Sequence, residues 1–204
     1  MSKKNSNVLK HKKFRLNNTT LLIYSNFKSY LEKLIKKKSF LVAVSGGSDS
    51  LALTALSKIY IKENKNKIFF VLIDHGIRSN SSKEAKAVKS LLKKKKICLT
   101  ILKNKEKINK NIQGQARDLR YKLLLNFCKK KKIKFILTGH HRDDQIETFL
   151  IRLSRGSGIQ GLSSMKKVSN MQNKTKLIRP LLDEKKLDLT VIAKQYFGKF
   201  FKDP

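Results

Sequence analysis

At 204 residues the chain can build one sizeable core. No apolar run approaches the roughly 18 residues needed to cross a bilayer, so a soluble protein without a membrane partner is expected. The 48 Lys and Arg against 14 Asp and Glu leave a formal charge of +34, which suits a polyanionic partner. The total alone is not decisive, because 40 of those cations are Lys, as expected when an A/T-rich coding sequence fills neutral surface positions. Two cysteines, Cys98 and Cys128, form neither a CxxC pair nor a disulfide framework. They point to a reducing compartment, a bacterial cytoplasm or an organelle interior.

The first 18 residues, MSKKNSNVLKHKKFRLNN, lack an apolar signal core and read as a basic arm ahead of a single domain over 19–204. Beyond the arm, short runs rich in Phe, Ile, Val and Leu alternate with longer amphipathic stretches, the rhythm of βαβ units. Strands are predicted at Phe40 to Val44, Ile68 to Asp74, Ile97 to Leu102 and Phe135 to Thr138. Helices are predicted at Ser48 to Glu63, Ser82 to Lys95, Gln113 to Lys131 and Asp143 to Arg155. The runs Lys36 to Lys38, Lys93 to Lys96 and Lys129 to Lys132 each close a helical stretch, where cations suit the helix dipole. The segment KKVSNMQNKTK reads as an exposed loop; LIRPLL follows, then a last helix from Asp183 to Tyr196. The class is α/β: a doubly wound, mostly parallel, Rossmann-like sheet with ligands at the carboxyl ends of its strands.

The stretch FLVAVSGGSDSLAL, Phe40 to Leu53, runs a buried strand into two glycines, three serines and an aspartate before a helix. Free backbone N–H groups and the positive end of a helix then meet at Ser45, Gly46, Gly47, Ser48, Asp49 and Ser50, where an anion can sit. The glycines permit close approach, the hydroxyls add donors to phosphate oxygens, and Asp49 can hold a Mg²⁺ that offsets their charge. No Lys follows the glycines, so this is not the GxxxxGK[ST] loop, and it is not GxGxxG. A glycine turn alone would explain Gly46 and Gly47 but not the polar residues around them.

A second constellation follows the fourth strand in LTGHHRDDQIETFLIRLSRGSGIQGLSSM. On a helix Asp143 and Glu147 lie four apart and Asp144 and Glu147 three apart, so the acids share the turn facing the strand ends. Acids at a helix N-terminus also complement the dipole, but that leaves His140 and His141 unexplained. Adjacent histidines do not easily reach one ion and no HExxH spacing exists, which favours polar catalytic and substrate contacts over zinc.

Together these residues resemble the PP-loop ATP pyrophosphatases, a superfamily that adenylates a carbonyl and releases pyrophosphate. Within it, SGGSDS, DHGIRSNSSKEA, QARDLRY, GHHRDDQIETFLIRLSRGSGIQGLSSM and RPLLD, in that order, resemble the tRNA(Ile)-lysidine synthetases. The resemblance implies the PP-loop fold from about Phe40 onward. It also implies a ligase that adenylates the 2-carbonyl of the wobble cytidine in tRNA(Ile) with a CAU anticodon, and that lets the amine of free lysine displace AMP. Ser45 to Ser50 would hold ATP, with Asp49 serving Mg²⁺ and phosphates. Asp144 and Glu147 would grip lysine, and His141 with Asp143 would belong to the adenylation site, His140 less securely. Arg117, Arg120 and Arg179 would contact ATP or tRNA.

Family members usually continue past the closing Lys-Asp-Pro into further basic helices and tRNA-binding domains, so those domains are expected to be missing here. Lys95 and Lys96 stand where the family often has Leu-Gly, an exchange expected to be harmless. Two alternatives stay open: another PP-loop tRNA-modifying enzyme, against which the missing CxxC and glutaminase domain argue, and a noncatalytic basic RNA-binding relative.

Overall fold

The computed structural model describes residues 17–64, 66–76, 80–104, 112–156 and 164–201. Most of the basic arm, the RGSGIQGL run from Ser157 on and the closing Lys-Asp-Pro lie outside them. The elements in order are α1 (Asn18–Leu34), β1 (Phe40–Val44), α2 (Ser48–Glu63), β2 (Ile68–Asp74), α3 (Ser81–Lys94), β3 (Leu99–Lys103) and α4 (Ile112–Lys131). They continue with β4 (Phe135–Leu137), α5 (Arg142–Ser154), β5 (Val168–Asn170), a 3-10 turn (Gln172–Lys174), β6 (Lys176–Ile178) and α6 (Lys186–Phe197). The helix closed by Lys36 is thus α1, whose N-terminus is capped by the Asn17 side chain accepting from Thr20 N at 2.8 Å.

The six strands form one sheet in the order β3-β2-β1-β4-β6-β5, parallel except for β5, which runs antiparallel to β6 at the edge. Helices cover both faces, so the strands read as continuous apolar runs. Phe40, Val42, Val44, Phe70, Leu72, Phe135 and Leu137 face a large core built with α1, α2, α3 and α6. Leu41, Val71, Ile136 and Leu177 face the other way, onto Leu124, Leu125 and Cys128 of α4. Strand order reverses between β1 and β4, and the crevice at their carboxyl ends is where such sheets bind ligands.

Three expectations change. The stretch read wholly as a loop contains β5, which hydrogen-bonds to β6 from Val168 to Asn170, so backbone pairing rather than apolar content makes it a strand. The last helix starts at Lys186 instead of Asp183, because Pro180 to Asp183 form a turn that buries Leu181 and Leu182. Lys96 is also not neutral to the fold. It sits at φ 55°, with Lys36 and Lys132 at 53° and 55°, left-handed positions just beyond α3, α1 and α4 that glycine fills most cheaply.

Candidate active site

The phosphate-type loop is closed by one side chain. The buried Ser50 hydroxyl accepts from Ser45 N at 3.1 Å, Gly46 N at 3.0 Å and Ser45 Oγ at 3.0 Å, and donates to Gly47 O at 3.1 Å. Gly46 takes φ 105°, which an L side chain rarely adopts. No side chain caps the N-terminus of α2, so its first N–H groups face the crevice with the positive end of the helix dipole. The three serines expected as phosphate donors direct their hydroxyls inward: Ser45 to Ser50, Ser48 to Asp49 Oδ1 at 2.9 Å, and Ser50 to Gly47.

Across the crevice the turn after β4 comes so close that a Cβ on Gly139 would stand 2.9 Å from the Asp49 carbonyl carbon and oxygen. Only a glycine fits there. Two residues on, His141, 3% exposed, is the N-cap of α5. The His141 amide donates to Asp144 Oδ2 at 2.8 Å, and Nδ1 accepts from Asp144 N at 3.4 Å, a reciprocal capping box. Nε2 then lies 3.5 Å from Asp49 Oδ2 and 3.6 Å from Asp144 Oδ2. The neutral tautomer with its proton on Nε2 suits all three contacts.

Burial opposes charge on His141, but the hydrogen bond to Asp49 and the charges of Asp144, Asp49 and Asp143 outweigh it and raise its pKa. Burial likewise opposes charge on Asp49, and there hydrogen bonds from His141 and Ser48 with the charges of His141 and Lys186 hold the pKa below the usual carboxylate range. His141, Asp49 and Asp144 are therefore one electrostatic unit tying α5 to the loop. Asp143 and Glu147 are exposed on α5 beside it.

His140 faces a different environment. Its Nδ1 is 2.9 Å from Thr138 Oγ1, and burial and the Arg179 charge, with smaller contributions from Arg117 and Arg120, lower its pKa to about 4 against the opposing pull of Asp144. It is neutral at physiological pH. His75, at the end of β2, has its pKa lowered by burial and by Arg120. Arg117 stacks on Tyr121 at 5.4 Å, and both Arg117 and Arg120 are exposed. Arg179 is buried, and its guanidinium donates to Lys166 O at 2.7 Å and Ser169 Oγ at 2.9 Å, bracing the β5–β6 hairpin.

The topology thus brings two groups together at the carboxyl edge of the sheet, Asp49 and Asp144 with His141 against the loop and the three arginines around His140, while Asp143 and Glu147 stand exposed on the first turns of α5. Sequence reasoning missed Gly139, whose signal was a glycine directly before the histidine pair. It also missed Phe201, whose N–H donates to Gly46 O at 3.0 Å, a contact with no local signature. Among the described residues no group of three His, Cys, Asp or Glu could by itself hold a metal ion. A Mg²⁺ at Asp49 fits only with phosphate oxygens completing its shell, which is how Mg²⁺ is usually bound.

A loop of this build at a switch point defines a nucleotide-binding α/β domain. The chain belongs to the PP-loop family: the family model described as a PP-loop domain matches residues 20–204. It is 44% identical over 165 residues to a tRNA(Ile)-lysidine synthase of Wolbachia pipientis, covering 79% of this chain and 38% of that protein. It is 43% identical over 164 residues to one of Orientia tsutsugamushi, covering 80% of this chain and 37% of that protein. The chain therefore spans well under half the length of these curated relatives. Among solved structures, the tRNA thiolase NcsA of Methanococcus maripaludis has the same fold, with a TM-score of 0.75 and 20% identity over 91% of this chain and 67% of that one.

Proposed function

We propose that this domain carries out the nucleotide chemistry of a tRNA(Ile)-lysidine synthase. The 2-carbonyl oxygen of a wobble cytidine in tRNA(Ile) with a CAU anticodon attacks the α-phosphorus of ATP, and pyrophosphate leaves. The amine of free lysine then attacks C2, the carbon–oxygen bond breaks, AMP departs with that oxygen, and the amine gives up a proton. The observation that carries this reading is the 3.5 Å approach of Asp49 to His141, which joins the SGGSDS loop to the GHHRDDQIET helix in one unit.

Each part has a physical task. The uncapped start of α2 and the glycines supply fixed N–H dipoles for the pyrophosphate charge that grows in the transition state. A Mg²⁺ held by Asp49 and phosphate oxygens would neutralise part of that charge. Neutral His140 can donate or accept a proton beside the base, while Arg117 and Arg120 attract its phosphates. Glu147, exposed one turn beyond Asp144, offers the cationic lysine a carboxylate.

The alternative of a tRNA thiolase finds no support in the thiols. Cys98 immediately precedes β3 and Cys128 lies in the last turns of α4, both at the amino edge of the sheet, away from the loop. The test is transfer of labelled lysine into tRNA(Ile) with a CAU anticodon, dependent on ATP and abolished by Asp49→Ala. Pyrophosphate release without lysine incorporation would overturn this reading in favour of another PP-loop reaction.

A further inference from the structure

We infer that Phe201 is a positioning residue for the phosphate loop, setting the direction of the Gly47 N–H that meets the nucleotide's phosphates. After α6 the chain turns at Gly198, φ 81°, and returns over the large core to the mouth of the loop. There the Phe201 amide donates to Gly46 O at 3.0 Å. Its ring closes on the same residue: a Cβ at Gly46 would lie 3.4 Å from Phe201 Cδ2 and 2.6 Å from Val88 Cγ2 of α3, so both side chains crowd the face where a side chain would stand. Gly46 is therefore packed under two apolar side chains, with its carbonyl held by the Phe201 amide.

The consequence follows from peptide planarity. The Gly46 carbonyl and the Gly47 N–H belong to one trans peptide and point in opposite directions. Holding the carbonyl outward, toward Phe201, turns the Gly47 N–H into the loop. Among the described residues that N–H has only a long 3.4 Å contact to Ser45 Oγ, so it is poised for a stronger acceptor such as a phosphate oxygen. Glycine flanks this peptide on both sides, so little else opposes a flip that would present the carbonyl to the phosphates instead. The hydrogen bond from Phe201 supplies that opposition.

This inference rests on the nucleotide reading of the loop and not on the lysine step, so its test measures binding. Affinities for a non-hydrolysable ATP analogue and for AMP would be compared in wild type, Phe201→Pro, which lacks the donor, and Phe201→Leu, which keeps donor and apolar bulk. Phe201→Pro is expected to weaken the ATP analogue roughly tenfold, the loss of a phosphate hydrogen bond to a charged acceptor, with AMP changed less than about twofold. Phe201→Leu should restore both. Circular dichroism checks folding. If Phe201→Pro does not fold, Phe201→Ala takes its place: it keeps the N–H but removes the ring that packs this residue against Gly46, so a smaller loss is expected for the ATP analogue and again none for AMP. An unchanged ATP affinity in the variant used, or equal losses for ATP analogue and AMP, would overturn the inference. Intact ratios without lysine transfer would overturn only the proposed reaction.

Discussion

Gly139→Ala tests whether the two halves of the site work as one unit. The added Cβ would meet the Asp49 carbonyl carbon and oxygen at 2.9 Å and Ser50 N at 3.0 Å, all backbone atoms that no rotamer change can move aside. Comfortable carbon contacts begin near 3.5 Å, so the β4–α5 turn and the loop must separate by roughly half an ångström. Overpacking of that kind costs about 1–3 kcal/mol. In a domain of this size it should lower the melting temperature by roughly 2–12 °C. Activity should fall further than stability, because the displacement lengthens the 3.5 Å Asp49–His141 contact at the reacting centre. Misplacement on the ångström scale there costs up to roughly a hundredfold in rate. Pyrophosphate release at a temperature where the variant is fully folded is the assay. Gly76→Ala is the control, since among the described residues nothing lies within 4 Å of its Cβ, and its φ of 65° resists the change. A Gly139→Ala protein with wild-type turnover would refute the coupling of loop and helix; equal activity losses in both variants would refute its specificity.

Replacing Lys36, Lys96 and Lys132 by Gly should stabilise the protein by about 1 kcal/mol at each site, the left-handed strain of a side chain less the extra freedom glycine gives the unfolded chain. The three sites lie beyond different helices and should add in thermal melts. His140, lowered to about 4, is neutral when folded but takes a proton when unfolded near pH 6.5, so stability is lost as pH falls between those values. Denaturant titrations at pH 7 and pH 4.5 should show that His140→Asn removes part of this acid sensitivity. Glu147→Gln should raise the KM for lysine by roughly tenfold to a hundredfold with little effect on that for ATP, the worth of a charge-assisted hydrogen bond; equal effects on both substrates would make Glu147 structural.

The parts of the fold that could be read from the sequence are those whose stability is local and apolar. Both-sided burial writes β1 and β2 as unbroken hydrophobic runs, and their bounds are those expected. By contrast β5 is Val-Ser-Asn, a strand only because β6 offers it backbone partners. The site divides in the same way. The loop's chemistry is contiguous in sequence, so Ser45 to Ser50 could be read as a candidate anion site. Which residue meets which across the crevice depends on β4 lying beside β1, and this no spacing reveals. Nor could composition tell that Ser50 would spend its hydroxyl on organising the loop, or that the two adjacent histidines would part, His141 into a capping box and His140 toward the arginines.

The same topology bears on what the excess charge is for. In a parallel α/β sheet each helix runs from the carboxyl edge of one strand back to the amino edge of the next. The runs Lys36 to Lys38, Lys93 to Lys96 and Lys129 to Lys132 close α1, α3 and α4 and so stand at the amino edge, opposite the loop. A five-residue strand such as β1 sets the two edges about 17 Å apart before any loop is counted. Under the proposed function, an RNA base engaged at Asp49 and His140 would bring its own phosphates to Arg117 and Arg120 in the first half of α4, not to the lysines at its end. Exchanging Arg117 and Arg120 for Gln should therefore flatten the logarithmic salt dependence of tRNA binding by roughly 1.5, about 0.7–0.9 for each phosphate no longer neutralised. Exchanging Lys129 to Lys132 for Gln removes twice the charge and should change the slope by less than about 0.9, leaving those lysines as helix-closing cations on a solvated edge. Filter-binding titrations across a salt series would measure both slopes. A drop of roughly 3 in the lysine variant would refute this placement and require the RNA to wrap around the sheet to its far edge.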